Sequence, residues 1–131
     1  MRFMMMMKAD KNSEAGLPPD PKLMAGMAKF MEEMTRSGAV LVAGGLGPSS
    51  KGTRFVATSG DKLTQMDGPF AETKELIAGF AIIQAKSKEE AIEQGRRFMK
   101  VHREALGPTW EGTCEIRPLF GPEDGPGPGK K

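Results

Sequence analysis

The residues best suited to chemistry crowd one short stretch, Asp67-Gly68-Pro69-Phe70-Ala71-Glu72-Thr73-Lys74-Glu75. An Asp at a strand end beside an aromatic ring suits general acid–base work, or a grip on a polar ligand group. The architectural reading of Asp67 is a carboxylate that accepts backbone N–H bonds and pins the turn ahead of Pro69. Both hold together where the turn forms the rim of a pocket. In an extended segment Glu72 and Lys74 project to one side, Thr73 and Glu75 to the other. Arg54 and Arg117 are cations able to reach this cluster across a sheet. A guanidinium that fixes a carboxylate and one that binds an anionic ligand are alike by residue type. Arg54, Phe70, Glu72, Thr73, Lys74, Glu75 and Arg117 therefore stand either as a pocket for an anionic or amphiphilic small molecule or as cross-strand ion pairs. Asp67 is the candidate acid–base group in the first case.

Other reactive types are scarce. One His and one Cys leave no zinc-ligand spacing and no disulfide or cysteine cluster, so neither metal nor cofactor is expected. His102 falls on an apolar helical stripe with Phe98 and Leu106, the setting of a hydrogen-bonded core or rim residue. Cys114, inside a strand with no basic pair nearby, reads as an inert thiol. The segment 44–52, GGLGPSSKG, lacks both P-loop spacing and a GxGxxG that opens a helix, and reads as a turn or flap.

The elements that must position these residues follow from local signals. Arg2 to Ala9 is an apolar strand rich in Met, and the polar 10–19 segment reads as a loop. Asp20-Pro21 is a cap followed by a first-turn proline. Leu23, Met27, Phe30, Met31 and Met34 then recur on one helical face, which Ser37-Gly38 ends. That Met stripe is core filler or dimer packing rather than a cofactor box. Ala39 to Ala43, Thr53 to Ser59 and Lys62 to Met66 read as short strands, and Leu76 to Ala85 as a long one. Ser87 to Glu90 is a capping box. It opens a helix that buries Ala91, Gly95, Phe98, His102 and Leu106, with acidic residues at its start and basic ones at its end. Gly107-Pro108 stops it, and Thr113 to Phe120 is a last strand. The Gly/Pro-rich 121–131 tail has no apolar anchor and is expected to be disordered, leaving one domain over 1–120.

The order β, α, several β, α, β predicts an α+β fold, a ferredoxin-like sheet with two helices on one face. Its opposite face would be bare in a monomer, and a symmetric homodimer covers it economically. At 131 residues with a net charge of +2, the signs interspersed, the chain shows no basic patch for nucleic acid. The apolar run Phe3 to Met7 is too short for a signal-peptide core or a membrane span, and the cysteine usage fits a reducing cytoplasm.

DGPFAETKE, together with Thr53-Arg54, Gly79-Phe80 and Glu115-Ile116-Arg117-Pro118, resembles the signature of the DGPF family, a bacterial branch of the YCII-related proteins. The resemblance runs to about Phe120. It implies a dimeric α+β barrel and brings no established reaction. Other YCII-related proteins carry a His near the first helix, proposed to pair with an Asp; the corresponding helix here, MAGMAKFMEEM, has no His. Three function classes result. The first is a small-molecule-binding module with a Met- and Phe-lined cleft rimmed by the charged cluster. The second is a cofactor-independent enzyme using Asp67. The third, by family association, is an accessory or regulatory partner of an extracytoplasmic-function sigma factor.

Overall fold

The computed structural model describes residues 1–122; the greater part of the expected 121–131 tail lies outside the described residues. The elements run β1 (Arg2–Lys8), α1 (Lys11–Glu14), α2 (Pro21–Arg36), β2 (Val40–Gly45), β3 (Thr53–Ala57), β4 (Leu63–Asp67), β5 (Ile77–Gln84), α3 (Lys88–Leu106) and β6 (Cys114–Pro118). Single turns of 3-10 helix occupy Ser49–Lys51 and Thr73–Glu75.

Four strands form one antiparallel sheet in the order β2-β5-β1-β6, while among the described residues β3 and β4 pair only with each other. The four-stranded order, with a helix after its first and third strands, is consistent with a split β-α-β ferredoxin-like sheet. The β3–β4 hairpin is an addition to it. The period-two pleat divides β1. Phe3 and Met5 join a core with Phe30 and Met34 of α2, Phe98 of α3, and Ala81 and Ile83 of β5. Met4 and Met6 face the other way, opposite Ile82 and Phe80 of β5.

The helix ends follow their capping chemistry. Asp20 Oδ1 accepts from Lys22 N at 2.7 Å ahead of the first-turn Pro21, and Gly38 leaves α2 with φ of +80°. Ser87 Oγ accepts from Glu90 N at 3.1 Å, supplying the Ser half of the expected capping box. The stripe on α3 is buried as its spacing predicts, at Ala91, Gly95, Phe98 and His102. At Gly95 the helix lies so close to β6 that an added Cβ would come within 2.5 Å of Ile116 Cδ1.

Three local expectations need correction. The 10–19 segment is not all loop. Asp10 Oδ1 accepts from Ser13 N at 2.8 Å and Ser13 Oγ accepts from Asp10 N at 2.9 Å, a reciprocal cap that stabilises α1. Thr73 to Glu75 is not extended, because it closes as a 3-10 turn, with Leu76 N donating to Thr73 O at 3.2 Å. The 44–52 loop is shorter than expected because β2 continues through Gly45, paired with Gly79.

Candidate functional site

The corner at Gly68-Pro69 is held by a neighbouring loop. The Gly68–Pro69 peptide is cis. Gly68 N donates to Gly52 O at 3.0 Å, and Phe70 N donates to Ser49 Oγ at 3.0 Å. The backbone passes so close to Ser49 that a Cβ on residue 68 would collide with the Ser49 carbonyl, which explains why glycine is needed there. Asp67 takes another part: exposed at the end of β4, it accepts from Thr53 Oγ1 at 3.1 Å across the hairpin. Ser49 also reaches back to α1, where its N donates to Glu14 Oε1 at 2.9 Å and its hydroxyl donates to Glu14 Oε2. One serine thus ties the corner to the first helical turn.

The structure gathers part of the expected charged cluster. Arg54 lies with its guanidinium carbon 3.9 Å from the centre of the Phe70 ring, and its Nη2 is 3.6 Å from Glu72 Oε2. The stacking holds the guanidinium over the ring, while the ion pair is half-exposed and worth little by itself. Thr73, Lys74 and Glu75 follow in the 3-10 turn, with Lys74 and Glu75 exposed. Arg117 is not drawn into this group: it sits exposed on β6, its Nε 4.0 Å from Glu115 Oε2.

A large recess lies elsewhere, between the sheet and α2. It has a volume of about 780 Å³ and a wall of thioethers from Met5 and Met7 of β1 and from Met24, Met27 and Met31 of α2. Ala78 to Ala81 of β5 and Ala43 to Leu46 of β2 complete the sheet side. Ser13, Leu17 and Pro48 form part of its rim, beside the Glu14–Ser49 clasp. Among the described residues of the lining, only Ser13 and His102 have polar side chains. Ser13 is already engaged, donating from its hydroxyl to Asp10 O at 3.1 Å.

His102 is 6% exposed. Its ring meets the Phe98 ring edge-on at 4.7 Å and stacks on Trp110 at 5.1 Å. Arg103 Nη2 donates to Trp110 O at 3.0 Å and steadies that lid. Nδ1 lies 2.9 Å from Phe98 O; a carbonyl can only accept, so Nδ1 carries the proton. Burial pushes the imidazole below its ordinary value of 6.5, outweighing the Phe98 carbonyl, which acts the other way. Burial also raises the Cys114 thiol to about 11; the Glu115 charge adds to this and the Met6 backbone opposes it. That leaves Cys114 a neutral, weakly nucleophilic group at ordinary pH.

The model of the YCII-related domain matches residues 1–104. The chain belongs to the YCII-related family. An uncharacterized protein of Rhizobium meliloti (strain 1021) is similar, 28% identical over 100 residues that cover 76% of this chain and 75% of the relative. No helix among the described residues is long and apolar enough to cross a membrane.

Within this YCII-related chain a Met- and Phe-lined cleft is expected from the sequence. Its place between the sheet and α2, away from the charged cluster, is not, although two of its signals lie in the sequence. Met24, Met27 and Met31 sit at helical spacing with Met5 and Met7 at strand spacing, and this pairing brings one flexible side chain type to both walls. His102 sits on the buried stripe of α3. What the sequence does not carry is the gap between α2 and the sheet, which depends on how the elements pack.

Proposed function

We propose that this chain binds an uncharged, largely apolar small molecule in the recess between its sheet and α2. The observation that carries this reading is the recess itself: about 780 Å³ is within the range of ligand sites, about 300–1,000 Å³. Its Met-rich wall can adapt to ligand shape. The hairpin cluster supports the recess as a frame. Phe70 holds Ser49, Ser49 holds Glu14, and Glu14 belongs to the turn whose neighbours Ser13 and Leu17 line the rim. Asp67 is outside the lining and engaged with Thr53, which favours binding over catalysis by that carboxylate.

A thermal-shift titration with uncharged alkylbenzenes tests the reading. Ligand at about a hundredfold above Kd stabilises the protein by ~2.7 kcal/mol. Met24 is 55% exposed, so Met24→Glu preserves the fold while placing a charge at the mouth, and it should abolish the shift. The reading fails if no compound stabilises the wild type, or if Met24→Glu responds as the wild type does.

A further inference from the structure

We propose that the recess selects ligands that present a neutral hydrogen-bond donor, an alcohol or phenol hydroxyl, to Nε2 of His102. This rests on the binding reading above and adds the chemical class of the ligand.

Nδ1 is committed to Phe98 O, one turn back on the same helix, at 2.9 Å. In a neutral imidazole the other nitrogen then has a lone pair and no proton, and acts as an acceptor only. Trp110 stacks on one face of the ring, and Phe98 meets the ring edge-on. Because Nδ1 turns toward its own helix backbone, the distal edge bearing Nε2 is the part of the ring left for the recess, whose lining includes His102.

The surroundings sharpen this selection. Among the described residues no Asp, Glu, Lys, Arg or Cys side chain belongs to the lining, so none of them neutralises an ionic ligand. A carboxylate offers only acceptors to Nε2 and would enter without a cation to meet it. An amine cation would find no anion. A hydrocarbon fits the thioether wall but leaves the acceptor unpaired, and an unpaired buried polar group is what allows a site to discriminate. The matching ligand is an apolar body with one hydroxyl.

The test compares para-butylphenol with its methyl ether, para-butylanisole, which keeps the shape and loses the donor. Wild-type protein should bind the phenol about tenfold more tightly, the scale of one hydrogen bond. His102→Phe keeps a ring against Trp110 and removes the acceptor. The preference should fall to about onefold there, while the ether binds within about threefold of wild type. The single His gives a second readout that does not depend on any variant folding. With nitrogen-labelled histidine, the free protein should show a protonated Nδ1 and a bare Nε2, and the phenol alone should shift the Nε2 resonance. Equal affinity for both compounds in the wild type, or an Nε2 that is protonated or unmoved by the phenol, overturns this inference and leaves the binding reading standing. If neither compound binds, the binding reading falls and takes this inference with it.

Discussion

His102 is buried among aromatic rings, and that burial lowers its pKa, although the Phe98 carbonyl bonded to Nδ1 acts the other way. The unfolded chain therefore takes up a proton at a higher pH than the folded one. Stability from this group is complete above the ordinary value of 6.5 and is lost as pH falls through the folded value. Urea midpoints measured from about pH 7 down to about pH 5 should decline, and His102→Phe should flatten the decline. A profile that the substitution leaves unchanged would contradict this account of the ring. Cys114 acts in the opposite sense. Its raised value of about 11 gives a contribution that is complete below 9.0 and is lost as pH rises toward 11.

Among the elements, those with local signals were legible in the sequence. Asp20-Pro21 and Ser87 cap the helices they were expected to cap, because a cap bonds amides only two or three residues away. The fold class was legible for a similar reason, since stripe spacing decides which face each element buries. By contrast, α1 was missed because Ser13 stands where a capping box usually has Glu or Gln. The Thr73–Glu75 turn closes through bonds between near neighbours that no cap or turn residue announces. The part played by Ser49 was hidden because it depends on partners distant in the chain. Ser49 meets Glu14 across 35 positions and Phe70 across 21. Ser49→Ala removes the hydroxyl between them, leaving the Phe70 amide unpaired. It should cost about 1–3 kcal/mol and speed hydrogen exchange at the Phe70 amide. Unchanged urea midpoint and exchange would show that the clasp does not secure the rim.

At the scale of the whole molecule, the helices cover one face of the sheet and leave the other with Met4, Phe80 and Ile82 half-buried and Val42 47% exposed. The separate hairpin adds Phe55, Leu63 and Met66, all exposed. We infer that a second copy of the chain covers this apolar surface. About 800 Å² per partner is the usual extent of a stable interface. Sedimentation velocity at micromolar concentration should give a dimer, and a monomer there would refute the pairing. The central claim concerns the opposite side of the sheet, where the ligand is placed between β1 and α2. Carbon-labelled methionine methyls report on it directly, because Met5, Met7, Met24, Met27 and Met31 line the recess while Met66 lies on the hairpin. Titration with para-butylphenol should shift the five lining methyls and leave Met66 in place. Shifts at Met66 with the five unmoved would put the ligand at the hairpin cluster and contradict the account.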